Sequence, residues 1–415
     1  MTGSAEGWWR DEPIVRRLAC DVIAGQLASL RPGWVGDTGW CDDSRHLVRD
    51  VGLDSLELVS VASALSELLH LHESGIEDAL LARPVIREWT AIACDGLESY
   101  SASLTFRTSG STGVPRRCGH SLAALWQEVE TLAPSLFADR ARVLLAVRTH
   151  HIYGFLFGVL LPRVLGIPSS RIVDLRQALP ASLGATARDG DLVIGYPDFW
   201  RAVAQGAAPL PAGVVGVTST APCPDDVALG VEAAGLATLV QVYGSSETAG
   251  VGVRTDHRQP YTLLDFWRRL ADDASALDRV APDGTSSTIA LPDRVEWQGA
   301  RTFIPVARVD DAVQVAGVNV HPDRVRRCLL EHPAVSDASV RLMLPSEGQR
   351  LKAFVVLRAG YDGDAGVRDD LDRWMSGRLS APERPRALTF GQAIPVSASG
   401  KLADWPIEPV GERFI

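Results

Sequence analysis

Residues 105–117, Thr-Phe-Arg-Thr-Ser-Gly-Ser-Thr-Gly-Val-Pro-Arg-Arg, concentrate groups that bind phosphate. Gly110 and Gly113 let backbone N–H groups turn toward a ligand with no Cβ in the way. Thr108, Ser109, Ser111 and Thr112 add hydroxyls, and Arg116 or Arg117 adds positive charge, so the stretch reads as a polyphosphate cradle. It is not the usual P-loop, because no Gly-Lys-Ser/Thr closes it. The same composition also suits a surface hairpin turn. Taken alone, the segment leaves both readings open.

Lysine usage marks two further positions. Of 41 basic side chains only Lys352 and Lys401 are lysine, so a lysine kept in this chain is a candidate for work that a guanidinium cannot do. Lys401 follows the small residues Ser397-Ala-Ser-Gly400, suited to a group that enters and leaves a site. Lys352 begins an apolar strand pattern and reads as an exposed strand-end residue. In Gly52-Leu-Asp-Ser-Leu-Glu-Leu58, Asp54 and Glu57 have the spacing of a capping box at the head of a helix. Such a start also displays Ser55 to solvent.

The elements that must position these residues fall into three groups. Apolar residues at helical spacing (Ile14, Leu18, Val22, Ile23, Leu27, Leu30) predict a helix over 12–30, and further helices follow from Ser55 to about Leu71, near 75–82 and over 85–94. Together they predict a small four-helix bundle over 11–96, with a linker over 97–103. From 104 to 309, β-rich runs such as 142–148, 192–195 and 214–218 alternate with helical ones near 119–133 and 224–235, which predicts a large α/β domain. Shorter elements over 310–415, with helices at 322–331 and 367–378 and a strand at 352–357, predict a small α+β domain.

Composition narrows the function. With 46% apolar and 22% charged residues, the 415-residue chain has the balance of a soluble multidomain protein. A net charge of −10 without a basic run gives no footprint for nucleic acid. The start has no charged and apolar leader, and the apolar stretch 155–167 is broken by Pro162 and Arg163, so neither export nor a membrane partner is expected. Cysteines 20, 41, 94, 118, 223 and 328 lack a Cys-x-x-Cys pair and read as reduced thiols of a cytoplasmic protein.

Two resemblances give these residues roles. The stretch Gly52–Leu58 resembles the carrier-protein family, which implies phosphopantetheine on Ser55. Six motifs in order resemble the adenylate-forming superfamily of acyl- and aryl-CoA ligases, peptide-synthetase adenylation domains and luciferase. They are 105–117, His150-His-Ile-Tyr-Gly-Phe155, Thr218-Ser-Thr-Ala-Pro222, Gln241-Val-Tyr-Gly-Ser-Ser-Glu-Thr248, Pro292-Asp293 with Arg308-Val-Asp310, and Pro395 to Lys401. The resemblance implies two half-reactions. A carboxylate attacks the α-phosphate of ATP to give an acyl-adenylate and pyrophosphate, and a thiol then displaces AMP.

Residue by residue, it implies that Thr108, Ser109, Gly110, Ser111, Thr112, Gly113 and Arg116 hold the β- and γ-phosphates. Ala221, Tyr243, Gly244 and Ser246 line the nucleotide, with Tyr243 stacked on adenine. Glu247 holds Mg²⁺. Asp293 and Arg308 reach the ribose, Asp310 is a hinge, and Lys401 touches carboxylate and phosphoryl oxygens. His151 gates the acyl pocket, while His150 is a bystander pointing to the opposite face of a strand.

The chain departs from the pattern in having Arg116 where lysine is usual and Ala307 where glycine is usual. The phosphate loop also comes early, as if a first ligase layer were missing. The motif combination looks most like compact ligases of aryl polyene and xanthomonadin-type pathways, which implies a hydroxybenzoate- or cinnamate-like acid. The acceptor would be a carrier protein, in cis through Ser55 or separate, or else CoA.

Overall fold

The computed structural model describes residues 7–31, 34, 39–108, 116–270, 275–309, 312–344, 347–361, 363, 365–395 and 403–407. Four helices come first: α1 (Glu12–Leu30), α2 (Ser55–Leu69), α3 (Asp78–Ala82) and α4 (Ile86–Ser99). At the head of α2 the expected capping box is present. The Asp54 carboxylate accepts from the N–H groups of Leu56 and Glu57, both at 2.8 Å, and Glu57 accepts from the Asp54 N–H at 2.9 Å.

These helices do not stand apart. In α1, Ile14, Val15, Leu18, Ala19, Cys20, Asp21, Val22, Ile23 and Leu27 are buried, almost all round the helix. A helix apolar on every side needs neighbours on every side, and here the second neighbour is the α/β layer. One uninterrupted apolar core runs from Trp8 and Leu18 through Phe106, Phe155 and Val217 to Phe303. Residues 1–108 and 116–307 accordingly form one compact unit. The helices pack directly on the α/β layer. Helix α4 continues through Ser99, into the segment expected as a linker.

A hairpin follows: β1 (Ser103–Thr108) pairs antiparallel with β2 (Arg116–Ser121), in register from Ser103 opposite Ser121 to Thr108 opposite Arg116. The expected helix near 119–133 starts later, as α5 (Leu122–Leu136), because β2 takes its first residues. Then come β3 (Arg142–Leu145), α6 (Ile152–Phe155), which passes through a π turn at 156–160 into α7 (Leu161–Val164), β4 (Ile172–Asp174), α8 (Leu183–Thr186), β5 (Asp191–Gly195) and α9 (Pro197–Ala204). Next are β6 (Val215–Thr218), α10 (Asp225–Ala233), β7 (Thr238–Ser245), β8 (Ala249–Arg254) and β9 (Tyr261–Leu263). A small sheet of β10 (Trp267–Arg269), β11 (Ala276–Val280) and β12 (Ser286–Ala290) precedes β13 (Asp293–Trp297) and β14 (Thr302–Arg308).

The nine-stranded sheet has the order β13-β14-β9-β8-β7-β6-β5-β3-β4. Strands β4, β3, β5, β6 and β7 are parallel, and β7, β8, β9 and β14 pair antiparallel. Period-2 alternation sends Val143, Leu145, Leu192 and Ile194 to the core shared with α1 and α5. Leu144 and Val193 go to the opposite core, under α9 and α10.

The second unit begins at Arg308. Strands β15 (Val313–Val315) and β16 (Val318–Val320) form a hairpin, α11 (Pro322–Leu330) follows, and β17 (Val335–Leu342), β18 (Leu351–Leu357) and β19 (Ala387–Gly391) form a sheet beside α12 (Ala365–Ser376). Lys352 is not the exposed strand-end residue its position suggests. It lies on the central strand with a fully buried side chain. Cys20 and Cys41, 21 positions apart in sequence, lie side by side at a Cα–Cα distance of 6.1 Å. Cys94, Cys118, Cys223 and Cys328 are free. Among the described residues no helix is long and apolar enough to cross a membrane.

Candidate active site

Three of the marked motifs follow parallel strands, and their loops therefore emerge at one edge of the sheet, the carboxyl edge where open α/β folds bind ligands. After β3 comes His150-His151, after β6 comes Ser219 to Pro222, and after β7 come Ser246 and Glu247. The second loop is sharply turned. Thr220 has φ 75°, in the left-handed region that a β-branched residue rarely occupies, while the Ser219 hydroxyl donates to the Val242 carbonyl at 2.9 Å. That bond ties the loop carrying Ala221 to the strand carrying Tyr243. Half-buried Tyr243 donates its hydroxyl to Asp293 at 2.8 Å and packs edge-on against Phe303, with centroids 5.3 Å apart. The residues expected at adenine and ribose are thus neighbours, 50 positions apart in sequence.

Glu247 stands at the tip of the β7–β8 turn. The Ser245 N–H donates to the Thr248 hydroxyl at 3.0 Å, and the Glu247 and Thr248 N–H groups donate to the Ser245 hydroxyl at 3.2 Å. Half-exposed and fixed by its turn, this carboxylate suits a hard cation that takes oxygen ligands. The β1–β2 hairpin is joined to the same turn, because His120 Nε2 lies 2.7 Å from the Ser246 carbonyl. Burial pulls the His120 imidazole below its ordinary pKa, and burial with the Glu247 charge pushes the Cys118 thiol up to about 11. Arg116 is exposed at the end of the hairpin stem. Residues 109–115, with the expected phosphate ligands Ser109, Gly110, Ser111, Thr112 and Gly113, lie outside the described residues, as does the Thr108 side chain.

The helical layer holds the outer side of this hairpin. Glu67 of α2 takes a two-point pair from Arg107 (3.0 and 2.7 Å) and a 2.9 Å pair from Arg117, while His70 lies 2.9 Å from the Thr105 hydroxyl. The Arg107 bonds hold the Glu67 carboxyl below the usual range. Arg117 is therefore engaged by the protein itself, whereas Arg116 and Glu247 each act on the Cys118 thiol.

The layer also fixes the His150-His151 loop. Buried Asp21 on α1 accepts from the Thr149 N–H at 2.7 Å and from its hydroxyl at 2.8 Å, and pairs with Arg176, which also grips Asp174. Contrary to the strand expectation, the two histidines do not diverge. They sit in a bend with ring centroids 4.1 Å apart. His150 is packed against Gly25 of α1, and burial holds it well below the ordinary imidazole pKa. His151 keeps an exposed edge at the N-terminus of α6, and the protein around it, with Arg148, lowers its pKa. Both rings are thereby favoured neutral near pH 7.

Glu128 on α5 lies under the Glu247 turn. It is fully buried and accepts from the Gly250 N–H at 2.9 Å, and burial raises its pKa to about 7. A Cβ on Gly250 would sit 2.3 Å from Glu128 Oε1, so only glycine fits there.

The structure does not bring every marked residue into this cluster. Ser55 is exposed at the N-terminal end of α2, whereas Glu67, at the other end, touches the hairpin. Twelve helical residues put about 18 Å between them. Arg308 belongs to the second unit, and Asp310 and Lys401 lie outside the described residues. Asp21, Glu67, His120 and Glu128 carry no motif. A buried charge on an otherwise apolar helix face, as at Asp21 and Glu128, was the one available signal.

Residues 97–266 match the AMP-binding enzyme family and residues 327–401 the AMP-binding enzyme C-terminal domain. Over 392 residues the chain is 38% identical to a 4-coumarate–CoA ligase of Halorhodospira halophila, covering 94% of this chain and 98% of that one. A 4-coumarate–CoA ligase of Rhodobacter capsulatus is 36% identical over 400 residues, covering 94% and 100%. Coverage this complete takes in most of the N-terminal helices. In fold, an amide bond synthetase of Marinactinospora thermotolerans is similar at a TM-score of 0.62 and 17% identity, covering 94% of this chain and 92% of that one.

Proposed function

This chain is an acid–thiol ligase of the AMP-binding, adenylate-forming family, and from that premise we propose that it activates an aryl acid of the hydroxycinnamate class with ATP and passes the acyl group to coenzyme A. The emergence of three strand-end loops at one edge of the sheet, with the β1–β2 hairpin joined to the Glu247 turn, carries the reading. Tyr243 would stack on adenine, with Gly244 and Ser246 beside it and Ala221 presented by the turned Thr220 backbone. Asp293, which accepts from Tyr243, would reach the ribose, and Arg308 would reach the same sugar. Arg116 would grip the β- and γ-phosphates two-pointed, as a guanidinium can, together with the hydroxyls and N–H groups of 108–113.

A bound Mg²⁺ would neutralise phosphate charge, and Glu247 offers the oxygen for it. The acid's carboxylate oxygen attacks the α-phosphorus and pyrophosphate leaves. Lys401 supplies a compact positive charge where negative charge develops. The thiol sulfur then bonds to the acyl carbon, and AMP departs with the carbon–oxygen electron pair. A neutral His151 at the open end of its loop suits a gate that admits first the carboxylate and then the thiol. Asp310 would be the hinge between the half-reactions. A cytoplasmic setting, where ATP and coenzyme A are present, goes with this chemistry.

Acid-dependent pyrophosphate release with 4-coumarate, cinnamate and substituted benzoates tests the reading, followed by thioester formation with coenzyme A. Release with one or more of these acids is expected, and silence across the panel overturns it. A second reading rests on the solvent exposure of Ser55 behind its capping box. There phosphopantetheine on Ser55, or on a separate carrier protein, replaces coenzyme A, as in aryl polyene-type pathways. Because α2 shares the ligase core, a cis arm would have to reach by its own length. Treatment with coenzyme A and a phosphopantetheinyl transferase should then add one prosthetic group to the intact mass. An unchanged mass, or a gain that survives Ser55→Ala, removes Ser55 as the attachment site.

A further inference from the structure

The one described lysine of the chain is enclosed in a way its sequence position does not suggest. Lys352 Nζ donates to Glu347 Oε1 and Oε2 at 2.8 and 2.7 Å and to the Trp405 carbonyl at 2.8 Å, and lies 2.9 Å from Asp404 Oδ1. Its acceptors thus lie just before its own strand, at Glu347, and on the remote segment 404–405. Asp404 also pairs with Arg341 on the neighbouring β17 at 3.0 Å, so two cations face two carboxylates. The Trp405 ring is buried, sits edge-on to Phe354 of β18 at 5.7 Å, and has Lys352 Nζ 5.4 Å from its centroid.

Residues 403–407, which the cluster grips, are neither helix nor strand. They are also tied by the Ala403 N–H, which donates to the Pro395 carbonyl at 2.9 Å. The second lysine, Lys401, stands two residues before Ala403. An enclosed ammonium can meet acceptors on separate segments in a tetrahedral arrangement, and the larger planar guanidinium cannot take its place in the same volume. That accounts for a lysine here in a chain that uses arginine almost everywhere else.

We propose that Lys352 is a positioning residue for adenylation: through Asp404 and Trp405 it fixes the C-terminal flank of the segment that carries Lys401. The proposal rests on the role given to Lys401 above. The test measures both half-reactions of the full-length protein, pyrophosphate release with an aryl acid that the wild type accepts and thioester formation from supplied acyl-adenylate. Lys352→Met and Asp404→Asn should lower kcat for adenylation on the order of tenfold to a hundredfold, the scale of a misplaced catalytic group. KM for ATP and acid, and the thioester half-reaction, should change little.

Because the effect acts through Lys401, Asp404→Asn combined with Lys401→Ala should fall no further than Lys401→Ala alone. Asp404→Asn keeps the side-chain shape and decides the matter if Lys352→Met does not fold. A folded Asp404→Asn with wild-type adenylation overturns the proposal. So does an equal loss in both half-reactions, or additive losses in the double variant. A wild type that releases no pyrophosphate with any acid would fail at the ligase reading itself, before any variant is compared.

Discussion

The two units each fix a loop with a buried charge cluster, and they do it differently. In the first, Asp21 reaches from the N-terminal helices to the Thr149 backbone and holds the strand-end loop of His150 and His151, with Arg176 closing the pair. In the second, Lys352 reaches from a central strand to Asp404 and Trp405. The first cluster joins two layers through an arginine that retains 27% exposure, whereas the second encloses an ammonium at 0%. Asp21 therefore belongs to the assembly of the core, and Lys352 to the placement of one short segment. Removing the first should cost stability, and disturbing the second should cost one half-reaction.

The largest effect should come from what the second cluster serves. Lys401→Ala should reduce adenylation by on the order of 10²-fold or more, with much less effect on thioester formation from supplied adenylate. Equal loss in both assays would remove the division of labour between the units. Asp21→Ala should appear in unfolding rather than in chemistry. The buried Thr149 N–H and hydroxyl would lose their acceptor while Arg176 keeps Asp174, which should destabilise the first unit by about 2 kcal/mol in denaturant titration. A change below about 1 kcal/mol, the scale of an exposed pair, would demote Asp21 to a surface contact.

Glu128 offers a pH signature for the same unit. Its folded pKa is raised to about 7 from 4.5, so between those values the unfolded chain is ionised while the folded protein keeps the proton. Stability contributed by this group is thus full below pH 4.5, declines as pH rises, and levels off above about pH 7, a loss on the order of 3 kcal/mol. Glu128→Gln should flatten that part of a melting-temperature profile, and an unchanged profile would refute the assignment. Smallest of all, Ser55→Ala should leave coenzyme A thioester formation at the wild-type rate, since α2 meets the hairpin at its other end. A clear loss would turn the comparison toward the carrier reading.

Much of the site was legible because short motifs encode local geometry. The capping box at Asp54 and Glu57, the strands before His150, Ser219 and Ser246, and the scarcity of lysine all depend on neighbours within a few positions. The helices at 12–30, 55–69 and 322–330 were likewise set by apolar spacing. The β2 strand was missed because its residues continue smoothly into a helical pattern and only pairing with β1 makes them a strand.

By itself, the sequence determined the identity and order of the chemical groups and the type of most elements, since propensity, capping and apolar period act over a few residues. Tertiary structure alone decided that the N-terminal helices share the ligase core, that the two histidines lie side by side, that Glu67 takes Arg107 and Arg117 of the hairpin stem, and that Lys352 is enclosed. Each of these depends on a partner tens of residues or more away, or on a backbone bend. Burial and charge pairing follow from distance in space, which a local pattern does not record.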